Sequence, residues 1–364
     1  MSVRWINVLA ACSAFLLRPV CADEQPQYQF DTIRIPTASA TEALLPEVSQ
    51  EKALQYLEQG AVAWNGARKC VSCHTNGTYM TVRPALTPQL GPPALAHRAH
   101  FVAQLTELTA IELRDLKKST RPAQVIYTAA GLAEWDAHVV KSLSLETDRA
   151  LRLMLQLQLE SGTWGTLECW PPYESDAFHE ATVAANAIAT APGWLAQLQD
   201  EDLLRRVERL RQYLRTQPPP HDYGRVLLLQ TSTKLTGLLD AAQQAELVER
   251  LWQHQRPDGG WSIRTFATPE AWGNGNRAAK LRAEPDFEIP ESDGHQTGLA
   301  IVVLRQAGVP ASDPRLQRGI AWLRTHQQVS GRWWTRSLNT DSWHFITYSG
   351  TAFPVLALAL CEQP

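Results

Sequence analysis

The chain has no excess of positive charge, no apolar run long enough to cross a bilayer, and few cysteines. Its 364 residues carry 34 Lys and Arg against 37 Asp and Glu, a net charge of −3. That leaves no basic footprint for nucleic acid or for an anionic membrane. The apolar run near the N-terminus, residues 5–17, falls short of the roughly 20 residues a membrane-spanning helix needs. Six cysteines are present, and no second Cys/His pair stands by to complete a zinc cluster with Cys70 and Cys73. No Pro/Gly/Ser-rich linker divides the chain, which is long enough for one large domain or two small ones. Tryptophan is abundant by contrast: 13 residues, more than ordinary core packing asks for.

Residues 1–22 read as a secretory signal. Arg4, the short apolar run and Val20-Cys21-Ala22 ahead of Asp23 supply a charged start, an apolar stretch and a cleavage site after Ala22. Leu9-Ala10-Ala11-Cys12 resembles a lipoprotein box, but apolar sequence continues past it, which ranks anchoring at Cys12 second. Either way the expectation is an exported, periplasmic protein. Cys12 and Cys21 leave with such a signal. Cys169 and Cys361 remain, either paired in an oxidising compartment or as separate buried thiols.

Lys69-Cys70-Val71-Ser72-Cys73-His74 is a C-x-x-C-H run. Two residues between the cysteines set the sulfurs at the separation of the two vinyl groups of haem, and the adjacent imidazole falls under the ring. The run predicts covalent haem c, attached through Cys70 and Cys73 with His74 on the iron. Zinc and an unligated loop are the rivals, and a thioredoxin-like pair wants a βαβ setting that is absent here. A distal ligand would come from Met80, six residues on and barely within reach, or from His97 or His100, which share one helix face. Their alternative roles are packing for Met80 and surface or capping for the histidines. Six-coordinate iron mainly passes electrons, whereas five-coordinate iron binds small molecules or peroxide.

In chain order, residues 23–48 are aperiodic and predict a surface arm. A helix follows, with Ser49 as N-cap and Leu54, Leu57, Ala61 and Trp64 on one face. Asn76-Gly77 marks a turn. Further helices are expected over residues 94–118 and 122–142, so that residues 49–145 form a haem-bearing helical part. From residue 146 to 364 the chain is repetitive. Gln158, Gly162 and Trp164, then Gln255, Gly259 and Trp261, then Gln327, Gly331 and Trp333 each spell Q-x-x-x-G-x-W. Each copy follows an amphipathic helix and precedes an apolar one. The glycine permits a left-handed turn, the glutamine amide reaches backbone groups of neighbouring helix ends, and the tryptophan packs over the turn.

These elements, with Arg318-Gly319 and Trp322-Leu323 upstream of the last, resemble the repeats of squalene–hopene and oxidosqualene cyclases and of prenyltransferase β-subunits. The resemblance covers residues 146–364. It implies an all-α fold, an α/α toroid of stacked helix pairs around a central cavity. The haem loop would lie at one end, and residues 49–364 would form one continuous ring. It also implies a catalytic acid in a D-x-D-D-T-A run. Here Glu291 and Asp293 match the first two acids and Gly294 follows, an incomplete motif that argues against cyclisation. No cysteine lies near Asp293 and His295 to make the zinc site of a prenyltransferase.

Asp293 and His295 remain an acid–base candidate, with helix capping as the alternative. Asp176, His179 and Glu180 open another inner helix in the same way. The functional expectation is redox: electron transfer with a periplasmic redox partner, or haem-assisted oxidation of a hydrophobic small molecule held in the cavity. An isoprenoid-modifying enzyme using Asp293 as acid is the runner-up. A binding protein with a structural haem is third.

Overall fold

The structure is a computed structural model that describes residues 25–166, 168, 170–339 and 344–362. Residues 1–22, read from the sequence as a secretory signal, and Cys12 and Cys169 lie outside the described residues. Among the described residues the chain is mostly helical. The only sheet among them pairs two three-residue strands, β1 (Tyr28–Phe30) and β2 (Ile33–Ile35). No helix among them is long and apolar enough to cross a membrane.

Twelve of the described helices carry the architecture, in six consecutive pairs. They are α1 (Gln50–Arg68) and α2 (Thr78–Val82), α3 (Leu95–Thr109) and α4 (Arg121–Trp135), α5 (Leu145–Gln156) and α6 (Ala177–Thr190). Then come α7 (Glu201–Thr216) and α8 (Asp222–Lys234), α9 (Ala241–Gln253) and α10 (Gly294–Gln306), α11 (Pro314–Thr325) and α12 (Ile346–Glu362). The second member of each pair turns mainly apolar side chains to the core and is the more buried, whereas the first keeps an exposed polar face, so the two kinds sort by burial. In the fifth pair, for example, α9 buries two of its 13 residues and α10 buries 11 of 13.

Each apolar helix packs on the next, from α2 through α4, α6, α8 and α10 to α12, and α12 returns to α2. At the α10–α12 contact the backbones come close because Gly298 has no side chain: a Cβ there would stand 2.5 Å from the Pro354 nitrogen.

The three Q-x-x-x-G-x-W turns are built alike. Gln158, Gln255 and Gln327 each donate to the carbonyl of their own glycine. Each also donates to a carbonyl of the next amphipathic helix or its cap: Arg206 at 3.0 Å, Arg315 at 2.7 Å and Ser49 at 2.9 Å. Each tryptophan Nε1 donates to a carbonyl ten residues back, of Met154, Leu251 or Leu323. The glycines have φ of 94°, 93° and 88°, the left-handed region that only glycine occupies freely.

Three expectations change. The helix expected over residues 94–118 stops at Thr109 and resumes as a separate turn, Leu113–Leu116. The one expected over 122–142 gives way after Trp135 to a π-helical turn, Asp136–Val140, closed by Lys141 at φ 64°. The arm is not a surface strap throughout. Its hairpin turns at Asp31, φ 50°, and lays Tyr28 and Ile35 against the core, both buried. Ser49 caps α1 as expected, accepting from the Lys52 amide at 3.3 Å.

Candidate cofactor cleft

The C-x-x-C-H run bridges α1 and α2. Lys69 ends α1 in the left-handed region, φ 54°, and Cys73–Gly77 forms one π-helical turn that leads into α2. Asn76 fixes the loop. Its Nδ2 donates to the Cys70 carbonyl at 2.9 Å and to Asn65 Oδ1 at 2.8 Å, and its Oδ1 accepts the Ser72 amide at 2.7 Å. The Gly77 amide donates to the Ser72 carbonyl at 2.9 Å, and a side chain at Gly77 would collide with that same oxygen. The Asn-Gly pair therefore belongs to the loop's own closure.

Cys70, Cys73 and His74 all line one cleft of about 590 Å³, together with Trp64, Ala123, Trp170, Tyr173 and Phe345. Its size lies within the roughly 300–1,000 Å³ common for cofactor and ligand sites, and most of its wall is apolar. Both thiols are free. Burial raises the Cys70 thiol, against the nearby Trp64 indole and Arg68. The Cys73 thiol is pushed well up, first by burial and then by Glu174 and Glu180. Neither is a ready thiolate.

His74 is oriented on one nitrogen. Its Nδ1 shares a hydrogen bond with Thr75 Oγ1 at 2.9 Å, and that hydroxyl meets Tyr28 Oη at 3.0 Å. The ring stacks on Phe345, centroids 4.7 Å apart at 24°, with Trp64 edge-on at 4.8 Å. Burial, aided by the Arg68 charge, pushes the imidazole down to about 4. It is therefore neutral at pH 7, with Nδ1 engaged and Nε2 without a hydrogen-bond partner among the described residues.

The expected distal ligands do not come to this cleft. Met80 is fully buried, with its Cβ close to Gly131, and does not line it. His97 is buried with both nitrogens engaged, Nε2 to Glu58 at 2.8 Å and Nδ1 to Asn65 at 3.4 Å. His100 sits behind the loop, in contact with the Cys70 carbonyl, and its Nε2 is buried without a partner. Among the described residues the cleft wall holds no second histidine, no methionine and no lysine.

The other candidate residues are placed by folding roles. Asp293 caps α10: Oδ1 accepts the Gln296 amide at 2.9 Å and Oδ2 the Ile263 amide at 2.7 Å. Burial pushes its carboxyl up to about 6 against the pull of those two amides. His295 has Nε2 on Tyr223 Oη at 3.1 Å and Nδ1 on Ser349 Oγ at 2.7 Å, and burial, with His179 nearby, pushes it down to about 3. Asp176 caps α6 through the His179 amide at 2.8 Å. His179 spends Nε2 on Tyr127 at 3.1 Å and Nδ1 on the Pro172 carbonyl at 2.7 Å. Glu180 is buried behind them.

Tyr173, His179, Tyr223 and His295 meet as one aromatic cluster with centroids 5.8 to 6.4 Å apart. They come from three successive apolar helices and one loop, so these rings occupy the space where those three helices meet. Among the described residues no group of three or more His, Cys, Asp or Glu side chains is arranged to hold a metal ion.

One cleft residue stands in the acid- and aromatic-rich run 170–182 but is not singled out by the sequence. Glu174 is only 6% exposed and lines the wall beside Cys73. Its Oε1 accepts from the Cys73 thiol at 3.8 Å, and its Oε2 is buried without a partner. Burial pushes the carboxyl up to about 7, with the Cys73 thiol opposing. Glu180, also unpartnered at Oε2, is held well above the carboxylate range by burial and by repulsion from Glu174 and Asp176. Trp170-Pro171-Pro172-Tyr173, an aromatic and rigid run ahead of Glu174, was the available hint. No protein-family model matches the chain, and no curated protein matches it significantly.

Proposed function

We propose that the chain is an exported c-type haem protein whose helix pairs close into an α/α toroid, with haem carried in the cleft at the α1–α2 loop. The closed order of apolar helices and the three clamp turns support the toroid. One observation carries the haem reading. Two free thiols and a neutral imidazole with an uncommitted Nε2 converge on one apolar cleft of about 590 Å³. The donor set and the enclosure fit the group. Cys70 and Cys73 would hold it covalently, His74 would ligate its iron, and Arg68 and Arg277 at the wall would face its carboxylates.

Haem supplies one-electron chemistry and, where the sixth position is open, a site for small ligands. Within this reading His74 keeps its ring fixed through Thr75 and Tyr28, and the aromatic wall excludes water. The lack of a second His or Met among the described wall residues favours ligand chemistry over a pure electron carrier. The ring cluster of Tyr173, His179, Tyr223 and His295 narrows the space between the apolar helices and favours a small ligand entering by the cleft over a bulky hydrophobic substrate. An isoprenoid-modifying acid at Asp293 draws no support, since backbone amides take both its oxygens. A periplasmic one-electron partner completes the proposal.

The test is the exported protein made alongside a haem-attachment system. The expected result is the added porphyrin mass on the intact chain, a pyridine haemochrome band of the two-thioether type, and carbon monoxide binding by the ferrous form. An unmodified mass would overturn the haem reading. A ferrous form that ignores carbon monoxide would turn the function back to electron carriage.

A further inference from the structure

Two buried carboxyls stand in or behind the cleft wall, each with one oxygen that no described residue partners. Glu174 is 6% exposed and Glu180 4%. In both, Oε2 has no hydrogen-bond partner. Leaving such a group buried and unpaired costs free energy, and neither residue caps a helix or pairs with a cation in the structure. Their neighbours Asp176 and Asp293 behave differently: each caps a helix with its carboxylate.

Haem attachment sharpens the contrast. When Cys73 adds across a vinyl group, its sulfur bonds one carbon and its hydrogen goes to the other. The thioether then has no proton to donate, and Glu174 Oε1 loses its one partner.

We infer that Glu174 is the polar grip of the cleft. It shares the proton of a small weak acid, of the hydroperoxide kind, whose anion end enters the apolar space beside it. The inference rests on the haem reading above. In binding, one proton is held between X and a Glu174 oxygen, whether it arrives on H–X or on the carboxyl, and no other bond breaks. No electron moves in this step. Glu180 behind the wall keeps a second carboxyl beside Glu174 and disfavours a permanent charge there. A ligand without a proton to share, such as carbon monoxide, gains nothing from Glu174.

The experiment uses the haem-loaded protein that has passed the haemochrome assay, so failure of the reading and failure of this inference are separate results. Fluoride, added to the ferric form and followed by absorbance, is the proton-linked probe, and carbon monoxide on the ferrous form is the control. Glu174→Gln, which keeps shape and removes the proton-sharing carboxylate, should weaken fluoride at least about tenfold, the size of one charge-assisted hydrogen bond. Its carbon monoxide affinity should stay within about twofold. Equal fluoride affinity in wild type and variant would overturn the inference, as would an equal loss for both ligands. If Glu174→Gln does not load haem, Glu174→Asp carries the test. It retains the carboxyl but draws it back by one methylene, and unchanged fluoride affinity there would overturn the inference too.

Discussion

At the scale of single residues, the cleft sets two titrating groups against each other. Glu174 ionises near 4.5 in an unfolded chain and near 7 in the folded one. Between those values the native state holds the extra proton, so this residue takes stability away as pH rises from 4.5 to 7. His74 works in the opposite sense. Its folded value of about 4 lies below the unfolded 6.5, so its contribution is lost as pH falls through that window. The overall pH profile hides both, and a variant is needed to separate them. In haem-free protein, Glu174→Gln should gain on the wild type by on the order of 3 kcal/mol between pH 4.5 and pH 7, measured by urea unfolding at a series of pH values. Curves that stay parallel across that range would contradict the assigned environment of Glu174.

The same scale shows what sequence reasoning reached. Cys70, Cys73 and His74 were legible as a set because they stand at a fixed spacing in one short run, and the fold brings all three to one cleft. Glu174 was not, because its meaning comes from contact with Cys73, 101 positions away. Asp293 and His295 looked catalytic because an acid and an imidazole near one helix start suit both catalysis and capping, and only their bond partners decide between the two.

At the scale of elements, the repeat turns were legible for a physical reason: Gln, Gly and Trp each do one stereochemical job at a fixed offset. The β1–β2 hairpin was not, since two strands of three residues carry too little alternation to be read. The ends of α3 and α4 were overrun for a related reason. Apolar periodicity continues past Thr109 and Trp135 into turns that keep a side chain against the core, such as Leu116 and Val139.

Two glycines with nearly the same backbone test what the clamp turn requires. Gly308 has φ 89° and nothing within 4 Å of where a Cβ would stand. Gly331 has φ 88°, and its Cβ would lie 2.5 Å from the Lys52 carbonyl carbon. Gly308→Ala should cost about 1–2 kcal/mol, the strain of a left-handed alanine alone. Gly331→Ala adds a clash with backbone that cannot rotate away, and should cost more than about 3 kcal/mol. Thermal or urea unfolding of the two variants gives the comparison. Equal costs would mean that the turn does not press on α1.

At the scale of the whole molecule, the last clamp differs from the first two because it joins the end of the chain to its beginning. Gln327 Nε2 donates to the Ser49 carbonyl at 2.9 Å, its Oε1 accepts the Ser49 amide at 2.6 Å, and its own carbonyl accepts the Leu45 amide at 2.7 Å. Around it, Gln328 Nε2 donates to the Ser39 carbonyl at 2.7 Å, and Arg332 pairs with Glu42 at 2.9 Å. The arm held in this way carries Tyr28, whose hydroxyl meets Thr75 beside His74. Closure at the seam and orientation of the His74 imidazole are therefore linked through about 20 residues of arm.

Gln255 makes the same kind of clamp inside the chain, where covalent continuity on both sides keeps its partners near. Gln255→Ala and Gln327→Ala should lose similar global stability, about 2 kcal/mol each. They should differ in where the molecule opens. Amide hydrogen exchange should quicken over residues 25–52 and at Thr75 in Gln327→Ala, and stay at wild-type rates there in Gln255→Ala. Equal protection of the arm in both variants would show that the hairpin's own packing on α1 holds the seam, and that the arm orients His74 without help from the last repeat.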